Sequence, residues 1–302
     1  MKYRVTHITS YDYSETVPFC YNLAHLSPRG CAHQKTIENH IEVSPVNVLF
    51  GRRRADYFGN EITYFTVQEA HNSLSIAATS MVEVSPIEFP NLMASPPWEA
   101  VPGILDEAAI PATLDAYQFA FDSRFVERSK DLRDYAAPSF EPERPLLDCV
   151  FDLTHRIHTD FAYDPAATTM STPLGDVMRN RRGVCQDFAH LQIGCLRSMG
   201  LAARYVSGYI YSGSGESESR LSGAHASHAW MSVYCPRQGW VDFDPTNDMI
   251  PSLGHITVAW GRDYEDVAPV RGVILGGGEH TISVSVEVSQ ADGPHEVNEG
   301  NG

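Results

Sequence analysis

The sequence predicts an α+β protein: an N-terminal antiparallel β-sandwich-like domain, followed by a core in which a helix bearing a cysteine packs on antiparallel strands. Three observations predict it. Apolar residues recur with period two over residues 1–85, the spacing lengthens to three or four over residues 146–200, and short apolar runs bounded by turn residues return beyond Gly200.

The first domain is read over 1–85. Tyr3-Val5-His7 and Ile37 to Val43 alternate as half-buried strands do, and Ser27-Pro28-Arg29-Gly30, Ser44-Pro45 and Phe58-Gly59-Asn60-Glu61 supply turns between them. Leu74 to Val84 reads as one long strand. Residues 86–145 carry prolines at 86, 90, 96, 97, 102, 111, 138, 142 and 145. This segment is a packed connector, with short helices expected at Ile104–Ala109, Thr113–Tyr117 and Val126–Tyr135.

The third domain is placed at 146–290. Leu147, Val150, Leu153 and Ile157 form one face of a helix. Thr172-Pro173-Leu174-Gly175-Asp176 leads into a short helix through Met178. Phe188, Leu191, Cys195 and Met199 then mark the buried stripe of a helix that opens at Cys185 and is capped by Gly200. Arg204–Ile210, His228–Tyr234, Gly239–Asp244, Ile256–Trp260 and His280–Val288 read as strands, with Gly276-Gly277-Gly278 as a turn. The polar, glycine-rich run 211–219 is expected to be a loop that gates the site, and 291–302 a disordered tail.

Composition narrows the function classes. With 43% hydrophobic and 20% charged residues the chain is globular, and a formal net charge of −16 repels phosphate backbones and anionic membrane surfaces. Nucleic-acid and membrane partners are therefore not expected. The N-terminus shows no apolar run of a signal peptide, no segment has the length of a membrane helix, and the six cysteines (20, 31, 149, 185, 195, 235) contain no Cys-x-x-Cys pair. A reduced, cytoplasmic chain is expected.

The chemistry centres on Arg181-Arg182-Gly183-Val184-Cys185-Gln186-Asp187. A cysteine at a helix start, close to arginines and a turn, is favoured as thiolate by the helix dipole and by positive charge. Downstream, His228 in Ser227-His228-Ala229-Trp230 and Asp244 in Asp242-Phe243-Asp244-Pro245 supply a general base and an orienting carboxylate. Asp242 points the same way as Asp244, but Asp244 precedes a proline and so sits at the strand end, nearer a cleft. Asp187 is expected to stabilise the first helical turn and pair with an arginine. A lone cysteine or strand histidine is usually a packing residue; the ordered set of three is the signal. Histidine pairs at 155/158 and 225/228 invite a metal reading, but residues three apart in a strand face opposite sides, and the helical pair lacks acidic or cysteine company. No metal and no cofactor are expected.

These residues resemble the bacterial branch of the transglutaminase-like superfamily. The resemblance is carried by Gly183-Val184-Cys185-Gln186-Asp187-Phe188-Ala189-His190-Leu191, Gly200 to Tyr209, Ser227-His228-Ala229-Trp230 and Phe243-Asp244-Pro245-Thr246-Asn247. It extends to Thr6 to Tyr13, Leu26-Ser27-Pro28-Arg29 and Asp56 to Asn60 near the N-terminus, and to Gly261 to Gly272. It implies a papain-like core with a Cys185–His228–Asp244 triad, and a thioester acyl-enzyme formed on a peptide or protein amide. Hydrolysis is the expected outcome; transfer to an amine, a transferase using an acyl carrier, and a non-catalytic peptide scaffold are the alternatives. The Cys185 N–H is one oxyanion donor, with Tyr163 the expected second and Gln186 the fallback.

Overall fold

A computed structural model describes residues 1–45, 47–107, 110–213 and 227–291. The strands in chain order are β1 (Lys2–Val17), β2 (Phe19–Ala24), β3 (Gln34–Ser44), β4 (Val48–Phe50), β5 (Arg54–Ala55), β6 (Glu61–Val67), β7 (His71–Val84), β8 (Ala162–Tyr163), β9 (Arg182–Gly183), β10 (Ala203–Ile210), β11 (His228–Cys235), β12 (Gly239–Phe243), β13 (His255–Gly261), β14 (Val270–Leu275) and β15 (His280–Gln290). The helices are α1 (Ala100–Glu107), α2 (Pro111–Tyr117), α3 (Lys130–Ala136), α4 (Leu146–Asp160), α5 (Leu174–Asn180), α6 (Cys185–Ser198) and α7 (Tyr264–Val267).

Two antiparallel sheets, ordered β15-β1-β7-β3 and β14-β2-β6-β4, with β5 also on β6, make the sandwich. Alternation along β7 buries Leu74, Ile76 and Ala78, and these meet Cys20, Ala24, Phe65 and Val67 in one apolar cluster. The long strand read at Leu74–Val84 begins earlier, at His71.

One expectation fails here. Residues 270–290 were read as the end of the third domain, but β15 pairs with β1 from Tyr3↔Gln290 to Tyr13↔His280, and β14 pairs with β2 from Val270↔Ala24 to Leu275↔Phe19. The chain returns to the sandwich because β1 and β2 each present an unpaired edge, and pairing satisfies their backbone groups. Residues 292–302, read as a tail, and 214–219 of the expected gating loop lie outside the described residues.

The second body is a four-stranded antiparallel sheet, β12-β11-β10-β13, with α6 packed across β11 and β10. The predicted stripe Phe188, Leu191, Cys195, Met199 is buried, and so are most other positions of α6, because α3, α4 and α5 pack on the helix as well as the sheet. The connector helices enter this core through Val101, Leu105, Leu132 and Tyr135, beside Leu147, Val150, Leu153 and Ile157 of α4. At Gly200 the backbone takes φ 81°, the left-handed turn that ends α6. No helix among the described residues is long and apolar enough to cross a membrane.

The two bodies meet at β13, the outer strand of the second sheet. Its outward backbone groups are satisfied by two side-chain amides from the sandwich. The Gln34 amide donates to the Thr257 carbonyl at 2.7 Å and accepts from the Thr257 N–H at 2.8 Å. Asn60 does the same for Trp260, at 2.9 and 3.0 Å. The sandwich thus closes an edge that would otherwise be open to strand addition.

Candidate active site

The start of α6 follows from its local sequence. Val184 is extended, and the Asp187 carboxylate turns back to accept the Val184 N–H at 2.8 Å and the Thr168 hydroxyl at 2.6 Å. Such a first-turn carboxylate stabilises a helix by about 1 kcal/mol. Gly183 is required for it, because a Cβ there would lie 2.6 Å from Asp187 Oδ2. Asp187 therefore does cap the turn, but with a threonine and not with the expected arginine. Nor do Arg181 and Arg182 form ion pairs at the sulfur: they pair with Asp160 and Asp164, at 3.8 and 3.3 Å. Both carboxylates are solvent-accessible, so each guanidinium keeps its hydration while finding a partner.

Cys185 heads the helix, 8% exposed, and its own N–H, in the first turn, has no acceptor within the helix. The parallel pairing of β8 with β9 sets Tyr163 opposite Gly183, bringing that phenol to the cysteine. Burial, and then the charge of Cys185, push the Tyr163 pKa up to about 12. Its hydroxyl therefore keeps its proton at neutral pH and can donate. Gln186, the second residue of α6, is half-buried. Tyr205 on β10, absent from the sequence-based site, is buried and also within electrostatic reach of Cys185.

His228 opens β11 and Asp244 follows the last residue of β12. The antiparallel register Met231↔Phe243 brings these two strand ends side by side. His228 Nε2 lies 2.8 Å from Asp244 Oδ2, and both residues are buried. Asp242 is one step further in: it faces Ser232 across the strands, accepting the Trp230 indole N–H at 2.9 Å and the Ser232 hydroxyl. The carboxylate at His228 is Asp244, not Asp242.

Asp244 is held by more than the histidine. Oδ2 also accepts from Asn247 Nδ2 at 2.7 Å and His255 Nε2 at 3.1 Å, and Oδ1 accepts the backbone N–H groups of Thr246 and Asn247 at 2.9 and 3.2 Å. Burial alone would raise its pKa, but the charges and hydrogen bonds of His228 and His255 hold it well below the usual carboxylate range. Burial likewise opposes the His228 imidazolium; the charge and hydrogen bond of Asp244, then Cys185, outweigh it and push the pKa up to about 10. With Nε2 committed to Asp244, Nδ1 has no hydrogen-bond partner among the described residues. It is the nitrogen free to exchange a proton with the sulfur.

His255 was not found from sequence, since the strand was read from Ile256. Its signal was its place: a histidine at a strand start, as His228 is. The ligand atoms of His228, Asp244 and His255 lie within 4.8 Å of one another. Both imidazoles stand at hydrogen-bond distance from a single carboxylate oxygen, so a cation among them would have to displace two N–H hydrogens. Of the histidine pairs, His155 contacts Asp248 at 2.7 Å, His158 contacts the Thr246 carbonyl at 2.9 Å, and His225 lies outside the described residues. All six cysteines are free.

Comparison with known proteins agrees with this architecture. Residues 3–83 match the model of the bacterial transglutaminase-like N-terminal region, and residues 133–245 that of the transglutaminase-like superfamily. The chain is 42% identical over 301 residues to an uncharacterized Mycobacterium tuberculosis protein, covering 97% of this chain and 94% of that one. A solved structure of a candidate cysteine protease from Cytophaga hutchinsonii aligns over 97% of this chain and 91% of its own, with a TM-score of 0.76 and 22% identity, and so shares the fold. A shorter stretch of 98 residues is 33% identical to the protein-glutamine gamma-glutamyltransferase of Pseudomonas aeruginosa, covering 31% of this chain and 14% of that protein. The two matched regions, one on the sandwich and one spanning α4 to β12, together with the full-length relative, establish that the chain belongs to the transglutaminase-like superfamily, in the form that carries the bacterial N-terminal region.

Proposed function

We propose that the protein is a cysteine-dependent amide-bond enzyme that works through a thioester and hydrolyses a peptide or protein amide. The observation that carries this reading is the relay at one corner of the sheet: a cysteine at a helix start, an imidazole with one nitrogen unpartnered, and a buried carboxylate accepting a hydrogen bond from the other nitrogen. In this reading the Cys185 proton already sits on His228 Nδ1 in the resting enzyme, and the thiolate attacks the amide carbonyl. The tetrahedral intermediate collapses with cleavage of the C–N bond, and the imidazolium returns that proton to the leaving amine. Water then attacks the thioester, His228 takes its proton, and C–S cleavage releases the acid and restores the cysteine. Asp244 fixes the Nε2–H tautomer and stabilises the imidazolium, without itself taking the proton.

Two donors suit the oxyanion: the Cys185 N–H at the helix start, and the Tyr163 hydroxyl set beside it by the β8–β9 pairing. The test is incubation with an amide library and a labelled primary amine. Release of ammonia or a new amine with no label incorporated supports hydrolysis. Efficient incorporation of the label would replace water by an amine as acceptor. A Cys185 that alkylates with iodoacetamide no faster in the native than in the denatured protein would sink the nucleophile assignment.

A further inference from the structure

Arg204, in the middle of the second sheet, is only 8% exposed, yet no hydrogen bond or ion pair to its side chain exists among the described residues. Its Nε is buried without a partner. The guanidinium lies between two indoles, its carbon 3.8 Å from the ring centre of Trp260 and 4.2 Å from that of Trp240. Arg29 stacks on Trp260 as well, at 3.5 Å; two cations cannot share one face at such distances, so Arg29, Trp260, Arg204 and Trp240 form an alternating stack. Stacking covers the faces of the Arg204 guanidinium and leaves its edge of N–H donors without acceptors.

That this chain can satisfy a structural buried arginine is shown by Arg197. Its guanidinium donates to the carbonyls of Phe119, Ala203 and Arg262 and to the Ser123 hydroxyl, at 2.6 to 3.2 Å. Arg204 has been given walls and no acceptors. It lines a cleft of roughly 600 Å³ where the sandwich meets the second sheet, within the size range of small-ligand sites. The other walls are largely apolar, with Ile87, Phe89, Pro90, Ile250 and Pro251.

We propose that this cleft binds a carboxylate on an apolar body, such as the end of a peptide, with the carboxylate lying in the plane of the Arg204 guanidinium between Trp240 and Trp260. A planar, singly charged anion fits an edge-on fork between two flat walls, and the paired hydrogen bonds would complete the donors the fold leaves open. Asp242 and Glu88 also line the cleft, and their charge disfavours a doubly charged phosphate. Asp242 lends Arg204 opposing charge at a distance, but its oxygens are taken by Trp230 and Ser232 and form no hydrogen bond with the guanidinium. The site stands apart from the chemistry proposed for Cys185 and requires none of it.

The experiment titrates the full chain, carrying Cys185→Ala to prevent turnover, by calorimetry and tryptophan fluorescence. The probes are acetyl-Gly-Leu as free acid, the same peptide amidated, acetyl-Glu-Leu-amide and inorganic phosphate. The free acid is expected to bind at least about tenfold more tightly than its amide, the scale of one charge-assisted bidentate contact. The difference should vanish in Arg204→Gln and shrink in Arg204→Lys. Preference for acetyl-Glu-Leu-amide would identify a side-chain carboxylate as the source, and preference for acetyl-Gly-Leu a chain terminus; both support the site. Binding of neither carboxylate peptide more tightly than acetyl-Gly-Leu-amide, a preference that survives Arg204→Gln in a folded variant, binding of phosphate alone, or no binding of any peptide would overturn it. The comparison of the two carboxylate peptides with acetyl-Gly-Leu-amide needs no arginine variant, so it decides the matter even if those variants misfold.

Discussion

Asp244 and Arg204 are buried charges of opposite sign on one four-stranded sheet, and the fold treats them in opposite ways. The carboxylate accepts five hydrogen bonds, from two imidazoles, one amide side chain and two backbone N–H groups. The guanidinium receives two aromatic faces and no acceptor. A charge that must hold a neighbour in one orientation is surrounded by fixed dipoles, since reorganising them during a reaction would add to the barrier. A charge that must accept something from outside is left unsatisfied at one edge, because unmade hydrogen bonds there strengthen the interaction with whatever completes them.

The largest expected effect breaks the first half of this comparison. Asp244→Asn keeps the shape but offers His228 an amide that can present N–H where an acceptor is needed, so the imidazole loses its tautomer and its charge stabilisation. Turnover should fall by about 10⁴-fold. Single-turnover acylation followed by mass spectrometry reads this directly, and a loss of less than tenfold would remove Asp244 from the relay.

Next in size is the contrast between the two arginines. Arg197→Met removes donors from buried carbonyls and should destabilise the protein by about 3–5 kcal/mol, whereas Arg204→Met replaces an unpaired buried charge by an apolar chain of similar length and should be neutral or stabilising. Urea unfolding of both variants without ligand measures the difference. Equal destabilisation would mean that the aromatic stack on Arg204 is structural and that its edge is not waiting for an acceptor. The Tyr163→Phe variant tests a smaller claim: loss of about 10²-fold in kcat with KM little changed marks an oxyanion donor, and an unchanged kcat passes the role to Gln186 or Tyr205.

How much of this was legible in the sequence depended on distance along the chain. Cys185, Gly183 and Asp187 act within one turn of each other, so their joint role shows in a short motif. His228 and Asp244 sit at the ends of adjacent strands joined by a short loop, and pattern alone places them side by side. What stayed hidden depends on pairing between remote segments. The period of β14 and β15 says that they are strands but not that their partners are β2 and β1. Arg204 lies in an apolar strand motif, and its isolation between Trp240 and Trp260 becomes visible only when three strands are assembled. The arginines at 181 and 182 misled because nearness in sequence to Cys185 is not nearness of their ion pairs to the sulfur.

The finest test of the first half concerns pH. His228 has its pKa pushed from 6.5 up to about 10 in the folded protein, after burial is outweighed by Asp244 and Cys185. Its contribution to stability is therefore complete below pH 6.5 and declines as pH rises towards 10, since over that range the folded state holds a proton the unfolded state has released. Asp244 is shifted the other way, below its ordinary 3.8. Its contribution is complete above pH 3.8 and is lost as the medium becomes acidic enough to protonate the folded carboxylate. The two are one interaction seen from its two partners, so the stability difference between wild type and Asp244→Asn should be greatest between pH 3.8 and 6.5 and narrow on both sides. Urea unfolding of the two proteins across pH 3 to 10 follows that difference while the titration of groups remote from Asp244 cancels. A difference that stays flat from pH 6.5 to 10 would show that His228 is neutral in the folded protein, and the relay would then have to begin from an uncharged imidazole and a thiol.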